Sequence, residues 1–435
     1  MNLYMVSLGC AKNQVDSEMI LGLLNKKFDI VSAPDNADLI IVNTCAFIEP
    51  ARKEAIDTIL MLSDYKKDNT KLVVCGCLSQ RYKKEIVNLL PEVDRFVAID
   101  EYKDIAKIIN DVMKSDFKES DKISPLNRLD TSPSYMTYIK ISEGCLNRCA
   151  FCAIPLIRGN LRSRTIEDIK EEVLQKVNEG VYEINLISQD TTKYGYDLYR
   201  ELKIVDLLKE LVKIEGDFKI RLLYLYPDIV TDELIDFIKN NDKVMNYFDI
   251  PIQHSEDLIL EKMKRRGNRE YLLNLFNKIR TNIPDAIIRT TFIVGFPYEE
   301  KKDVLNLIDF IKQVRFDRLG AFTFSLEEGT KACEYPNIIS ENEKQERYEM
   351  LMDVQNQIAL ENNQKLLNKV LNDVFIIDYD EDTYMYVGRS YAYAPDDIDG
   401  CIYIAAKREL KLGERISVKI LDCDEYTLTG EEICF

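Results

Sequence analysis

The chain has 435 residues, of which 46% are hydrophobic and 31% charged, and its formal net charge is −17. Its length predicts about three domains of the usual ~150 residues, which are large enough to bury cores without disulfide bonds. The sequence contains neither a run of ~18 apolar residues that would span a membrane nor a signal peptide at its start, MNLYMVSLGC. We therefore expect a cytoplasmic protein with no membrane partner.

The excess of 75 acidic over 58 basic residues argues against a nucleic-acid partner, since phosphate groups attract basic surfaces. Such a charge favours a basic protein as partner, although many proteins are acidic for solubility alone. The chain also has 11 cysteines. In a long chain without an export signal, metal binding explains so many cysteines better than disulfide bonds do.

Short apolar strands and helices alternate in the first segment. The strands are LYMVSLG, LIIVNT and KLVVCG, and the helical stretches span residues 16–24, 51–62 and 80–89. This alternation predicts a parallel sheet with helices packed on its faces.

One cysteine follows each of these strands: Cys10, Cys45 and Cys77. Because the carboxyl ends of parallel strands share one edge of a sheet, we expect the three thiols to converge there. The alternative is that each is a buried small hydrophobic residue. Cys75 competes with Cys77 for the third position, and the alternation of side chains along a strand predicts that both point to one face. We favour Cys77, which follows Gly76 and lies further into the loop.

A polar stretch, residues 114–134, predicts a linker, and a second alternating segment follows it. Its strands are MTYIKIS, EINLIS, KIRLLYLY, NYFDIPI, IIRTTFIVG and RLGAFTFS. The helical stretches between them begin at Ile166, Val205, Asp232, Leu258 and Lys301. Six such units predict a partial or complete parallel barrel, in which the functional residues come just after the strands.

Residues that could form an active site do follow these strands. They are Cys145, Gln189, Asp190, Tyr226, Gln253, His254, Gly295 and Ser325. His254 is the only histidine in the chain, and we expect it near the site, although a lone histidine is more often structural. The stretch KRRG, residues 264–267, could hold an anion but is better explained as the solvated end of a helix.

The first of these positions opens the motif GCLNRCAFC, in which Cys145, Cys149 and Cys152 have the spacing C-x3-C-x2-C. A structural zinc site needs four ligands. A cubane iron–sulfur cluster bound by three thiolates instead keeps one iron without a protein ligand. Such an open iron makes sense if another molecule binds to it.

A long polar helix, from about Glu341 to Asn368, leads to the third segment. The strand-like stretches there are DVFIIDYD, TYMYVGRS, CIYIAA, RISVKILD and YTLTGEEI. Five short strands predict a small barrel of the OB type, a fold that often binds RNA. Residues 365–435 contain 8 basic and 15 acidic residues, a net charge of −7, so this barrel is better suited to a basic protein.

The motif EGCLNRCAFC resembles the C-x3-C-x2-C signature of the radical S-adenosylmethionine superfamily. In that family, the amino and carboxylate groups of S-adenosylmethionine chelate the open iron. The resemblance implies that reduction of the cluster cleaves the cofactor to a 5′-deoxyadenosyl radical, a step that belongs to the cofactor's chemistry.

The whole chain is similar to the methylthiotransferases of this superfamily. The stretches SLGCAKNQVDSE, ISEGCLNRCAFCAIPLIRG, ISQDTTKYG, DIPIQH and GRSYAYAPDDIDG resemble the branch that acts on an aspartate of a small-subunit ribosomal protein. The resemblance implies an α/β fold with an N-terminal methylthiotransferase domain at 1–113, the linker, a radical S-adenosylmethionine partial barrel at 135–365 and a TRAM domain at 366–435.

The same resemblance implies two [4Fe-4S] clusters. Cys145, Cys149 and Cys152 hold the catalytic cluster that cleaves the cofactor, and Cys10, Cys45 and Cys77 hold an auxiliary cluster that carries the sulfur. We expect Gln189, Asp190, Gln253 and Gly295 to line the cofactor. One S-adenosylmethionine methylates the sulfur, a second generates the radical, and the methylthio group is placed on the aspartate β-carbon. The remaining cysteines match no motif: Cys333, Cys401, Cys423 and Cys434.

Two other functions remain as alternatives. A methylthiotransferase acting on adenosine in transfer RNA has the same chemistry, but a basic third domain would suit it better. A non-catalytic iron–sulfur protein that senses redox state or binds RNA has no use for open irons. We expect a reductant of the flavodoxin or ferredoxin type, while the sulfur donor, the oligomeric state and the assembly state of the substrate stay open.

Overall fold

The structure is a computed structural model, and it describes residues 1–118, 121–395 and 398–433. Its N-terminal unit is a parallel sheet in the order β2-β1-β3-β4-β5 with helices on its faces. The strands are β1 (Asn2–Ser7), β2 (Asp29–Ile30), β3 (Leu39–Thr44), β4 (Lys71–Gly76) and β5 (Arg95–Val97). The helices are α1 (Ala11–Leu24), α2 (Glu49–Ser63), α3 (Cys77–Ile86) and α4 (Ile105–Met113).

The central strand β3 is the neighbour of both β1 and β4. All six of its residues, LIIVNT, are buried, as expected for a strand of a parallel sheet that is covered on both faces. The loops that follow β1, β3 and β4 therefore lie side by side at the carboxyl edge of the sheet.

The second unit contains eight strands and nine helices among the described residues. The strands are β6 (Met136–Lys140), β7 (Ser142–Glu143), β8 (Arg162–Ser163), β9 (Glu183–Ile187), β10 (Lys219–Leu222), β11 (Tyr247–Asp249), β12 (Ile287–Val294) and β13 (Arg318–Thr323). The helices are α5 (Ile154–Ile157), α6 (Ile166–Asn178), α7 (Tyr196–Tyr199), α8 (Ile204–Leu211), α9 (Asp232–Lys239), α10 (Asp257–Lys262), α11 (Arg269–Asn282), α12 (Lys301–Val314) and α13 (Glu341–Gln364).

Six of these strands form the predicted partial barrel. Parallel pairing joins β6, β9 and β10, and it also joins β11, β12 and β13. Backbone hydrogen bonds connect the two groups, since Ile220 N donates to Lys243 O at 2.7 Å and Met245 N donates to Ile220 O at 2.9 Å. The barrel is therefore a parallel series in chain order, and in the described residues no pairing joins β6 to β13.

The strand predicted from KIRLLYLY is shorter than expected. It ends at Leu222 because Tyr224 has a φ of 62°, in the left-handed region that β-strands exclude. A non-glycine residue in this region is uncommon and often marks a functional site.

The third unit is a closed barrel in the order β14-β15-β16-β18-β17. Its strands are β14 (Val370–Asp380), β15 (Met385–Arg389), β16 (Ile402–Ala405), β17 (Arg415–Cys423) and β18 (Leu428–Glu432). All five predicted strands are confirmed. Their inward side chains form a separate apolar core that includes Val374, Ile404 and Val418.

Arg389 and Asp399 attach this third unit to the barrel. Arg389 donates to Glu183 at 2.8 Å, and Asp399 accepts from Arg289 at 3.1 Å. Glu183 is the first residue of β9, whereas the cysteine loop follows the carboxyl end of β6. The third unit thus packs at the end of the barrel strands opposite to the cysteine loop. No helix in the described residues is long and apolar enough to cross a membrane.

Candidate active site

The loop between β7 and α5 carries Cys145, Cys149 and Cys152. Burial raises the pKa of the Cys145 and Cys152 thiols, and the neighbouring Cys149 thiol raises it further. The three sulfurs are thus close enough to oppose one another's ionisation. Three thiols so arranged could hold a cation, such as the iron of a cluster, which would favour their thiolate forms.

The loop packs so tightly that one of its positions requires glycine. Gly144 has a φ of +76°, and a Cβ there would lie 2.1 Å from the carbonyl oxygen of Asn160. The next residue, Cys145, donates its N–H to Gly159 O at 3.1 Å. The segment that follows α5 therefore holds the first cysteine in place.

Two side chains from the barrel contact Cys149. The hydroxyl of Tyr226 lies 3.8 Å from its sulfur, and Nη1 of Arg265 lies 3.9 Å from it. The expectation that KRRG is the solvated end of a helix is wrong for Arg265. Helix α10 ends at Lys262, and a φ of 56° at Lys264 turns the chain so that Arg265 is only 9% exposed.

The second triad lies at the carboxyl edge of the N-terminal sheet. Cys10 precedes α1, Cys45 follows β3, and Cys77 begins α3. Burial raises the pKa of Cys45, and burial raises that of Cys77 to about 12; the Cys10 thiol adds to both shifts, and the Cys45 thiol adds to that of Cys77. The three cysteines therefore lie close together at this edge of the sheet, as predicted. Gly9 allows it, since a Cβ there would lie 2.7 Å from Cβ of Cys45.

The expectation that Cys75 and Cys77 point to one face of the sheet was wrong. Cys75 is fully buried in the core with Leu3, whereas Cys77 packs with Ala46 in the core on the other face. The cause is Gly76, whose φ of 96° ends the strand and starts α3, so the alternation of the strand no longer applies. Cys77 therefore joins the triad and Cys75 is a core residue.

All ten cysteines in the described residues are free thiols, and Cys434 lies outside these residues. Among the described residues, no three His, Cys, Asp or Glu side chains form the close group that could hold one metal ion. In a cubane cluster each thiolate binds its own iron, so the three thiols of a triad need not meet at one ion.

The predicted cofactor-lining residues supply unsatisfied acceptors near the cysteine loop. Gln189 donates to Glu143 at 3.1 Å, and its buried Oε1 has no hydrogen-bond partner among the described residues. The Oε1 of Gln253 is likewise buried and unpaired. Asp190 accepts from Asn147 at 2.7 Å, inside the cysteine motif, and burial raises its pKa. Buried acceptors without donors fit a ligand that brings its own N–H or O–H groups.

Gly295 has a different neighbour. A Cβ at this position would lie 2.3 Å from Cγ of Lys344, and the N–H of Gly295 donates to Glu299 at 2.8 Å. The close approach that requires glycine here is therefore to the Lys344 stem.

His254 is fully buried, and both of its ring nitrogens have partners. Nδ1 accepts from the N–H of Glu256 at 3.0 Å, so the proton is on Nε2, which donates to Glu299 at 3.2 Å. These contacts give His254 a structural role.

The residues that connect the two triads were missed by the sequence analysis. Arg158 lies between Asp16 of α1 and Glu143 of β7, and Lys140 of β6 bonds both of these carboxylates. Asp16 and Asn13 are three residues apart and so share one face of α1. This spacing is the one feature of the sequence that could have indicated their contact with Arg158. Their burial depends on the barrel that packs against them, and no local pattern reveals it.

Three family models match the chain. The one described as "Uncharacterized protein family UPF0004" matches residues 2–98, the "Radical SAM superfamily" matches 139–311, and the "TRAM domain" matches 373–433. The chain thus contains a radical S-adenosylmethionine domain followed by a TRAM domain.

Solved structures show the same fold at low sequence identity. The radical S-adenosylmethionine methyltransferase TsrM of Kitasatospora setae, with tryptophan and a cofactor analogue bound, has a TM-score of 0.54 and 13% identity over 74% of this chain and 72% of that one. The cobalamin-dependent radical enzyme OxsB has a TM-score of 0.52 and 12% identity over 80% of this chain and 56% of that one.

Curated relatives match along almost the entire sequence. The "Ribosomal protein uS12 methylthiotransferase RimO" of Acetivibrio thermocellus is 47% identical over 98% of this chain and 97% of its own. The protein of the same name from Clostridioides difficile is 45% identical, over the same shares of the two chains. The chain belongs to the family of the ribosomal protein uS12 methylthiotransferases.

Proposed function

We propose that this chain transfers a methylthio group to the β-carbon of an aspartate in ribosomal protein uS12. The observation that carries the proposal is a pair of cysteine triads in one chain, joined by Arg158 and Asp16. Full-length similarity to uS12 methylthiotransferases supports this choice of substrate. An unactivated C–H bond does not yield to a general acid or base, which agrees with the structural role of His254.

Each triad is the proposed site of one [4Fe-4S] cluster. Cys145, Cys149 and Cys152 would hold the cluster that, together with S-adenosylmethionine, would supply the radical chemistry, and Cys10, Cys45 and Cys77 would hold the cluster that would supply the sulfur.

The protein's own residues orient the cofactor and exclude water. Gln189 and Gln253 offer unpaired amide oxygens to it, and Asp190 fixes Asn147 within the cysteine loop. Gly295 contributes indirectly, because the absence of a Cβ leaves room for the side chain of Lys344. Proximity of the reacting groups is the main contribution that a protein makes to such a reaction.

The proposed domain boundaries are residues 1–113, 135–365 and 366–435, with 114–134 between the first two. The third domain has an acidic surface, which favours a basic ribosomal protein over transfer RNA. A ribosomal substrate implies a cytoplasmic enzyme. The proposed reductant is an electron carrier of the flavodoxin or ferredoxin class.

The test offers reconstituted enzyme, dithionite and S-adenosylmethionine to uS12 and, in parallel, to bulk transfer RNA under anaerobic conditions. Mass spectrometry should find a hydrogen replaced by SCH3 in the protein and none in the RNA. Modification of RNA alone would agree with the proposed chemistry but would contradict uS12 as the substrate.

Single-cysteine variants separate the two sites. Cys149→Ala should abolish 5′-deoxyadenosine formation, whereas Cys45→Ala should retain it and lose methylthio transfer. Cys423→Ala, outside both triads, is the control and should retain both. Normal methylthio transfer by Cys45→Ala would reject the two-cluster proposal.

A further inference from the structure

Arg158 is a buried cation between the two triads, with an exposed fraction of 3%. Its Nη1 donates to Asp16 at 2.6 Å and to Glu143 at 3.1 Å. Its Nη2 donates to Asn13 and lies 3.7 Å from the sulfur of Cys77. One guanidinium thus contacts the helix that follows Cys10, the strand that precedes Cys145, and a thiol of the second triad.

The residue that follows Arg158 contacts the first triad. Gly159 O accepts the N–H of Cys145 at 3.1 Å, so two consecutive residues, Arg158 and Gly159, contact the second and the first triad. The side chain cannot move away from Cys77 without breaking its bonds to two carboxylates, and Asp16 is further fixed by Lys140. The charge is therefore held at a constant position next to Cys77.

This position has an electrostatic consequence for the sulfur. Nη2 of the buried Arg158 lies 3.7 Å from the Cys77 sulfur, where little solvent screens the charge, so this cation stabilises negative charge on that sulfur. A cation that favours a thiolate favours, in the same way, the more negative state of a cluster bound to that thiolate. Local charge and hydrogen bonds to sulfur are two of the factors that set the potential of an iron–sulfur cluster.

We propose that Arg158 is a positioning residue that raises the reduction potential of the auxiliary cluster and ties that cluster to the radical site. The inference rests on the proposed function, since it requires a cluster on Cys10, Cys45 and Cys77. Arg158 does not touch the reacting atoms in this account and acts through Cys77.

The experiment uses the full chain with Cys145, Cys149 and Cys152 all changed to Ala, so that only the auxiliary cluster is loaded. Arg158→Met removes the charge. Arg158→Lys keeps the charge but lacks the planar guanidinium that can hydrogen-bond two partners at once. Arg128→Met is the matched control. Arg128 also joins α1 to the barrel, through Glu18 at 2.9 Å and Thr137 at 2.6 Å, and its partners include no thiol. For the parent and each variant we would measure the iron content and the reduction potential of the cluster. The potential comes from a redox titration monitored by electron paramagnetic resonance.

In Arg158→Met, the ratio of reduced to oxidised cluster at a fixed potential should fall at least tenfold, a downward shift of about 59 mV for one electron. Arg158→Lys should shift less, and Arg128→Met should not shift the potential. An unchanged potential in Arg158→Met, or an equal shift in Arg128→Met, would show that Arg158 is only structural.

If Arg158→Met binds no iron, Arg158→Lys decides the question. At the same fixed potential, the ratio of reduced to oxidised cluster in Arg158→Lys must then stay within tenfold of the parent ratio. A larger change overturns the inference. A parent chain that binds no auxiliary cluster would contradict the proposed function itself, and the inference would fall with it.

Discussion

The guanidinium of Arg265 lies 4.0 Å from the ring centroid of Tyr226, and both side chains reach the sulfur of Cys149. Burial raises the pKa of Tyr226, so the phenol keeps its proton and can donate it to a thiolate. Arg265 is anchored from behind by a hydrogen bond to Pro251 O. The first triad thus has its own fixed cation, as the second triad has Arg158.

Arg265→Met should slow reductive cleavage of S-adenosylmethionine about tenfold while the iron content stays unchanged. A hydrogen bond to a charged group contributes roughly 1.5–3 kcal/mol, and about 1.4 kcal/mol corresponds to a factor of ten in rate. The measurement is 5′-deoxyadenosine formed under dithionite, quantified by chromatography.

Arg266→Met is the matched control for this prediction. The Arg266 side chain is 73% exposed and lies 3.5 Å from Asp228. Its removal should leave the cleavage rate within twofold of the parent. Equal rates in Arg265→Met and the parent would mean that the charge beside Cys149 does not influence the cluster.

Cys77 and Cys75 should differ in their contribution to iron binding. In the chain without Cys145, Cys149 and Cys152, Cys77→Ala should reduce the iron content from about four atoms per chain to near zero. Cys75→Ala should keep the iron, because the Cys75 side chain is fully buried on the face of the sheet opposite to that of Cys77. Iron and sulfide assays check both variants. Loss of iron in Cys75→Ala with retention in Cys77→Ala would reverse the assignment.

Much of the fold could be predicted because its signals are local. Apolar runs such as LIIVNT predict buried parallel strands, and β3 occupies the six residues of that run. The short strand β2, Asp29–Ile30, was missed because it is exposed and only two residues long. The positions of Cys10 and Cys45 followed from the strand ends and from the shared edge of a parallel sheet.

The rest of the site depends on backbone turns and tertiary contacts that the sequence does not display. A positive φ at Gly76 separates Cys77 from Cys75, and a positive φ at Lys264 buries Arg265. Helix α1 buries Asp16 because the barrel supplies Arg158 and Lys140 as partners. Such partners lie more than a hundred residues apart in the chain, so no periodic pattern reports them.

Glu327 should hold the N-terminal unit against the barrel. Its side chain is 2% exposed and accepts from Arg81 at 2.8 Å, from Ser325 at 2.7 Å and from Arg52. Glu327→Ala leaves Arg81 buried without its carboxylate, a change that typically costs about 3–5 kcal/mol. We expect a lower midpoint of thermal unfolding and faster proteolysis of the N-terminal unit.

Glu334→Ala is the control for Glu327, since Glu334 pairs with Lys331 on the exposed surface. Solvent screening makes such pairs weak, so the midpoint of thermal unfolding should hardly move. Equal midpoints for the two variants would show that the contacts of Glu327 do not stabilise the junction.

The contact between barrel and third unit should weaken in acid. Glu183 is buried, which by itself raises its pKa, but Arg221 and Arg389 lower that pKa from 4.5 to about 2. A carboxylate with a lowered pKa in the folded state stabilises the fold above its unfolded pKa, and this stabilisation is lost as the pH falls from about 4.5 to about 2. At 1.36 kcal/mol per pH unit, the stabilisation is of the order of 3 kcal/mol.

Glu183→Gln removes this titration and leaves a neutral acceptor between the two arginines. The parent should therefore unfold at a higher temperature than Glu183→Gln above pH 5, and the difference should shrink steadily towards pH 2. Thermal unfolding followed by circular dichroism across this range measures the difference. Because the unfolded chain binds its proton near pH 4.5 and the folded chain only near pH 2, a difference that grew with acidity would contradict the ion pairs of Glu183 with Arg221 and Arg389.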